Sequence, residues 1–410
     1  MKNILLVVAF ISLSLLGLLL VAVFLLGDFR PAFFPSLTTI TRLFQKVEPT
    51  PSPVVSITEA RISDPVTESL KIPEGFAIGY FAKKLGVPRD LEFSPEGTLL
   101  VSIPESGKVI ALPDRDLDGV ADEQVTVASG LNRPHGLAFF NKQLFIAEET
   151  RVVRYFWNES SLIANEDMEL FKLPTGGRHR TRSLAFNKNG DLFVSIGSTC
   201  DVCEEEHEWL AAVVISDSNG TNPRRFAQGL RNSVFLTINP QTNELWGTEM
   251  GRDFLGDFTP PDEINIISSN QNYGWPICWG DRKHDTVFDR NIYVRDPCMD
   301  TKPPQYAIPA HSAPLGLTFI TSEQFPADWN NDLLVAYHGS WNRSSPIGYK
   351  VVRLDLEGNT IKGETDFLTG FLQGSEAIAR PVDVVFDAHG SLFVSDDKAG
   401  NVYKIIRSAP

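Results

Sequence analysis

Three groups of residues in this 410-residue chain have the types and spacing to do chemistry. The first is the run 114–123, where Asp114, Asp116 and Asp118 precede Gly119, Val120 and Asp122. Carboxylates at spacing two followed by a glycine that permits a sharp turn make an oxygen cage for a hard cation. The expected ligands of one structural Ca²⁺ are the side chains of Asp114, Asp116, Asp118 and Asp122 and the carbonyl of Val120. The loop departs from the EF-hand, which closes with Glu at its twelfth position, and a solvated acidic turn is the plain alternative. The second group is Cys200, Cys203, Cys278 and Cys298, which exhaust the cysteines. Four cysteines allow three pairings. Outside the cytoplasm the expected bonds are Cys200–Cys203 and Cys278–Cys298, each pair lying within one loop between repeats. Zinc with His207 as a further ligand wants a second Cys-x-x-Cys, and none exists. A redox Cys-x-x-Cys wants a thioredoxin-like βαβ setting, also missing from the pattern. The third is His179, among Arg178, Arg180 and Arg182. Neighbouring cations depress an imidazole's pKa and keep it neutral, as a general base must be. A lone surface histidine is the bland reading. Arg231-Asn232, Glu249 to Arg252, Asp262-Glu263 and Asn272 to Pro276 are also dense in polar and aromatic groups.

The elements that must carry these groups are short strands. From Lys71 onward, runs of Val, Ile, Leu and Phe alternate with Gly, Asn, Asp and Pro turns, with no amphipathic helical stretch of a dozen residues. One pattern recurs in register: Phe93, Gly97, Leu99, Val101; then Phe186, Gly190, Leu192, Val194; then Phe386, Gly390, Leu392, Val394. It reads as strand, tight turn, strand, with glycine supplying positive φ. Looser copies start near Leu137, Phe235 and Leu317, making six. The anchors Phe93, Phe139, Phe186 and Ile238 follow at 46, 47 and 52 residues, the period of a four-stranded β-propeller blade. Later gaps of 81 and 67 residues, to Phe319 and Phe386, place insertions in blades four and five. The expected fold is all-β, a six-bladed propeller over 71–410, closed by pairing of the Phe76–Phe81 segment into the last blade. Polar residues precede each copy: Arg89-Asp90, His135, Arg182, Arg231-Asn232, His311, and Arg380 with Asp383. They are expected to ring the mouth of the central channel.

The formal charge of −14 falls wholly on 71–410, because five basic and five acidic side chains balance in 1–70. Such a domain repels phosphate backbones, which excludes nucleic acid as a partner class. From Ile4 to Leu26 the chain carries no charge, long enough to span a bilayer's hydrocarbon core and longer than a cleavable signal's apolar core. Residues 1–27 are therefore expected to be an uncleaved transmembrane signal anchor. Residues 28–70, rich in Pro, Ser and Thr, are expected to be a semi-rigid stalk. The propeller then lies on the extracytoplasmic side, periplasmic or extracellular.

Taken in order, several segments resemble the quinoprotein sugar dehydrogenases, the soluble aldose and sorbosone dehydrogenase family. The pieces are Arg133 to Phe139, His179 with Arg182-Ser183-Leu184, Gly229 to Asn232, Pro261 to Asn265, Asn272 to Pro276, His338 to Arg343 and Arg380 to Asp383. The resemblance runs from Ile72 to Arg407 and implies a six-bladed propeller. It further implies pyrroloquinoline quinone (PQQ) and Ca²⁺ as cofactors, a sugar substrate and a separate electron acceptor. His179 falls where the family has its general base. Arg231 would stabilise charge on the quinone oxygen, and Asn232 would bond the cofactor rim. Arg343 and Arg380, with Arg231, would meet the cofactor's carboxylates, and His135 joins the cofactor-binding set. The carbonyls of Gly251 and Arg252 would hold the cofactor's calcium. Two positions depart from the aldose type: Ser198 stands where an Asp supports the catalytic His, and Met250 where a Gln can precede the calcium. Two other classes fit parts of the pattern. One is a membrane-tethered binding propeller with no redox step. The other is a calcium-dependent lactonase-type hydrolase, which wants acids on the axis where this chain has mostly Arg and His.

Overall fold

The computed structural model describes residues 61–66 and 70–408. The expected membrane anchor and all but the last part of the expected stalk lie outside them. Among the described residues no helix is long and apolar enough to cross a membrane.

Six four-stranded antiparallel sheets follow one another along the chain. Blade 1 begins at Leu91–Phe93, blade 2 at Leu137–Phe140, blade 3 at Arg182–Phe186, blade 4 at Leu236–Ile238, blade 5 at Pro314–Phe319 and blade 6 at Pro381–Phe386. The repeated anchors work as the sequence implies. Phe93 pairs with Leu99, Phe186 with Leu192 and Phe386 with Leu392, at the same register in three different blades. Gly97, Gly190 and Gly390 all take φ between 83° and 101°, a region that a side chain would make costly. The ring closes as expected: Phe76–Ala82 pairs antiparallel with Asn401–Arg407 as the outer strand of blade 6. Residues just before it are also engaged. Pro65 bridges Gly79, and Tyr80 donates to the carbonyl of Asp64. The folded unit thus starts before Lys71, since strand-edge hydrogen bonds satisfy backbone that a free stalk would leave to water.

The hydrophobic core lies between blades rather than within one. Leu100, Val109, Leu144 and Ile146 join blades 1 and 2, and Phe319, Trp246, Val335 and Ile264 join blades 4 and 5. Each fully buried side chain of this size contributes about 1.5–3 kcal/mol, so every junction is an apolar layer. The expected insertions are present. Blade 4 carries residues 268–305, with a small hairpin of Cys278–Trp279 and Lys283–His284, and 369–380 carries a second between blades 5 and 6.

Candidate functional site

The polar residues before each blade divide into two kinds. Asp90 accepts from the Leu137 amide at 2.6 Å, and Asp383 from the Leu91 amide at 2.8 Å. These carboxylates staple neighbouring blades, so they do not ring a channel mouth. Arg182 is buried, and it donates to the carbonyls of His179, Thr181 and Pro174. Its charge fixes the loop that bears His179. The others expected at the mouth that reach a cavity are Arg231, Asn232 and His311. They share a pocket of about 260 Å³ with Arg178, His179, Gly251, Asp253 and Trp341.

His179 is held by backbone as well as side chain. Arg178 and His179 donate their amides to the carbonyls of Thr199 and Ser198. Gly177, at φ 78°, lies so close to Thr199 that a Cβ would collide with its backbone. The imidazole Nδ1 sits 2.8 Å from the Ser198 hydroxyl, and that hydroxyl sits 2.7 Å from the Cys200 carbonyl. A carbonyl only accepts, so the single serine proton goes to Cys200. Ser198 must then accept from His179, which puts the ring proton on Nδ1. Nε2 is left with its lone pair and has no hydrogen-bond partner among the described residues. Burial first, then Arg231 and Arg178, lowers the His179 pKa to about 3.

Arg231 is buried beside it. Nε donates to the Asp201 carbonyl at 2.9 Å, and one terminal nitrogen meets Asp201 Oδ1 at 2.7 Å and Asp253 Oδ2 at 3.4 Å. Asp253 also answers Arg178 at 3.5 Å and accepts from Asn342 at 2.7 Å. Asn232 donates its amide to Glu249 and its side-chain nitrogen to the Met250 sulfur, so Met250 orients it. Gly251 donates to Asp262, whereas the carbonyls of Gly251 and Arg252 accept no hydrogen bond among the described residues. Arg252 itself points away, 2.7 Å from Asp285. Trp341, 63% exposed, forms one wall. Beneath the Gly251 loop, burial raises Asp262 and Glu263 to about 7 and Glu249 to about 8.

Three residues expected to bind the cofactor do not line this pocket. His135 is 0% exposed and stands edge-on to Phe235. Arg343 donates to the Ala310 carbonyl and lies over the Phe258 ring. Arg380 lies over Tyr349 and donates towards His338, Gly339 and Ser340. His311 reaches the pocket, but its Nε2 donates to the Gly256 carbonyl.

Away from the pocket, the carboxylates of Asp114, Asp116 and Asp118 converge as expected. Asp114 accepts from the Asp118 and Gly119 amides, which curls the loop. Asp122 does not join them. It accepts from the Arg115 amide at 3.0 Å and pairs with the Arg115 guanidinium. Val120 donates its amide to Asp118. Both expected disulfides are formed, Cys200–Cys203 and Cys278–Cys298. Sequence reasoning passed over Asp201 and Asp253, which belong to no repeat. The one available signal was the position of Asp201 inside the Cys-x-x-Cys.

Comparison with known proteins bears on the fold and the family. The TrAA12-like family model matches residues 70–408. An uncharacterized protein of Borreliella burgdorferi is 31% identical, over 86% of this chain and 94% of its own. The pyrroloquinoline quinone-dependent pyranose dehydrogenase of Coprinopsis cinerea is 35% identical over 82% of this chain, which spans only 54% of that longer protein. The calcium structure of a Trichoderma reesei protein of carbohydrate-active enzyme family AA12 superposes with TM-score 0.73 at 21% identity, covering 86% of this chain and all of that one. The holo PQQ domain of the Coprinopsis cinerea pyranose dehydrogenase gives 0.71 at 20%, covering 84% and 98%. At such identities these structures speak for the fold, while the family match over nearly every described residue speaks for descent. The chain belongs to the TrAA12-like family, within the quinoprotein sugar dehydrogenase-like propellers that its motifs resemble.

Proposed function

We propose that this chain oxidises a hydroxyl of an aldose or related sugar or alcohol in the His179–Arg231 pocket, with PQQ as the cofactor. The observation that carries the reading is the His179 ring, its tautomer set by Ser198 and its Nε2 left bare in a cavity beside a buried guanidinium. The residues present suit the cofactor. PQQ is flat and bears three carboxylates, so its holder needs cations, a planar wall and hydrogen-bonding groups at the rim. Arg178 and Arg231 supply cations, partly answered by Asp201 and Asp253, and Trp341 supplies the wall. Asn232 would bond the rim. The two unpaired carbonyls, of Gly251 and Arg252, are hard oxygen donors of the kind Ca²⁺ takes.

When bound, PQQ would supply the two-electron acceptor, later relieved by an external electron acceptor. The protein's part is positional and electrostatic. Nε2 of His179 would receive the substrate hydroxyl proton while Nδ1–H stays on Ser198. Ser198 holds the ring in place of the carboxylate of the aldose type. Arg231, already fixed, stabilises negative charge as it develops and needs no reorganisation to do so. The relatives' names support a sugar, and the two disulfides support a site outside the cytoplasm. There residues 1–27 would serve as anchor.

The test is reconstitution of the full-length chain in detergent with PQQ and Ca²⁺, followed by absorption spectra on addition of aldoses and polyols. A sugar-dependent change of the quinone spectrum is expected. A bound quinone that no sugar or alcohol changes would leave the binding-propeller reading standing. The Asp114 loop is proposed to hold a separate structural Ca²⁺ through Asp114, Asp116 and Asp118. Asp116→Ala should lower Tm in calcium and leave the chelated value unchanged.

A further inference from the structure

We infer that the four-residue disulfide loop Cys200–Cys203 positions both reactive side chains, with Asp201 the positioning residue for Arg231. The inference rests on the roles of His179 and Arg231 proposed above. Two consecutive carbonyls of this loop face the site. That of Cys200 takes the Ser198 proton at 2.7 Å, and that of Asp201 takes Arg231 Nε at 2.9 Å and Trp275 Nε1 at 3.1 Å. The Asp201 carboxylate takes Arg231 again at 2.7 Å and the Asp253 amide at 2.8 Å. Glu205 closes the loop from behind, accepting from the Thr199 amide and hydroxyl at 2.6 and 2.9 Å.

The disulfide matters because it fixes where those acceptors point. Cys200 and Cys203 are three residues apart, so their bond removes most of the loop's freedom. The other bond differs in kind. Cys278 and Cys298 are 4% and 0% exposed, and they pin the blade 4 insertion. Cys200 and Cys203 are only part-buried, so an external dithiol meets them first. Freed of the bond, the Cys200 carbonyl can leave Ser198. The hydroxyl then turns its proton to Nδ1 of His179, and the ring proton moves to Nε2. The imidazole is still there, but the face towards the pocket has become a donor and cannot accept a proton.

The experiment uses the full-length, cofactor-free protein with ¹⁵N-labelled histidine. It is compared before and after a dithiol that takes Cys200–Cys203 to two thiols and is itself oxidised to its cyclic disulfide. Mass after alkylation identifies which bond opened, and the Cys200→Ser/Cys203→Ser chain repeats the comparison without reductant. Oxidised protein should show Nδ1–H at His179, and opened protein should show a shift to Nε2–H. Quinone-loaded turnover should fall about 10²-fold, the cost of a misplacement near 1 Å. Asp201→Ala should keep the His179 tautomer, since the Cys200 carbonyl still takes the Ser198 proton. It should lower turnover, since Arg231 loses its 2.7 Å carboxylate partner and keeps only the backbone carbonyls and Asp253. Asp201→Asn keeps an Oδ1 acceptor for Arg231 and should recover most of the turnover. An unchanged His179 spectrum after the bond opens, or an Asp201→Ala chain that turns over like wild type, overturns the inference. If the spectra respond but no sugar is ever oxidised, the proposed function fails and the positioning role stands.

Discussion

Two histidines in this propeller sit among arginines beside strand ends, His179 before blade 3 and His338 in blade 5, and they are not equivalent. His338, after the second strand of blade 5, has both ring nitrogens engaged. Nε2 lies 2.9 Å from Asp397, and Nδ1 lies 3.3 Å from Arg380. Arg89 reaches the same Asp397 at 2.7 Å. Burial would raise the Asp397 carboxyl, but His338 and Arg89 bring it down to about 2, so the carboxylate stays ionised and the cluster stays closed. His179 has equally cationic neighbours but one nitrogen bonded and one free. A buried polar group with every valence satisfied contributes to a rigid fold, whereas one with a lone pair left over can do chemistry. The residue type is the same in both places; the hydrogen-bond ledger separates them.

That contrast breaks most sharply under alanine substitution. His179→Ala should cost about 10²–10⁴-fold in kcat, the usual loss for a positioned base. Quinone binding, followed by fluorescence or spectral titration, should persist. His338→Ala and His135→Ala should keep most turnover. The first should instead lose about 1 kcal/mol of stability, since Asp397 and Arg380 each lose one partner and keep others. A dead His338→Ala or His135→Ala chain with an active His179→Ala would reverse the assignment. Next, Arg231→Ala should reduce kcat about 10²–10³-fold and weaken quinone binding as well. Arg380→Ala should do neither and lower only the denaturation midpoint. Ser198→Ala is milder, about tenfold in kcat, since it removes one net hydrogen bond and frees the ring to flip. The smallest effect is on stability against pH. An unfolded histidine takes its proton near pH 6.5, while folded His179 refuses it until about 3. In that window the unfolded state binds more protons, so stability falls as pH is lowered. His179→Gln should flatten the Tm profile between those limits.

The fold was legible in the sequence because it rests on repetition. Phe93, Phe186 and Phe386 each face a leucine across the same turn, and that local pattern needs no tertiary information. The site was legible only in part. His179, Arg231 and Asn232 were found through motif order, and they meet in one pocket. Their partners Asp201 and Asp253 come from loops whose paths depend on long-range packing, and no period announces them. His135, Arg343 and Arg380 show the converse: motif order groups them with the site, but none of them lines that pocket. Motif position placed them near the axis, but it could not say whether each side chain turns towards the cavity, a carbonyl or an aromatic ring. Asp122 failed for a similar reason, because Arg115, seven residues earlier, is the nearer claimant on its carboxylate.

The way the ring closes has a consequence for how the molecule is made. Phe76 lies opposite Arg407, so the first strand of the propeller finds its partner only when the last has left the ribosome. Until then blade 6 has no third strand to offer, and the apolar side chains of Phe76–Ala82 have nowhere to pack. Contacts of such sequence separation form late and slowly. The nascent chain must therefore carry an exposed β-edge through nearly its whole synthesis, a hazard for pairing with the wrong neighbour. A chain that stops a few residues short of Arg407 would lose the clasp of the whole ring.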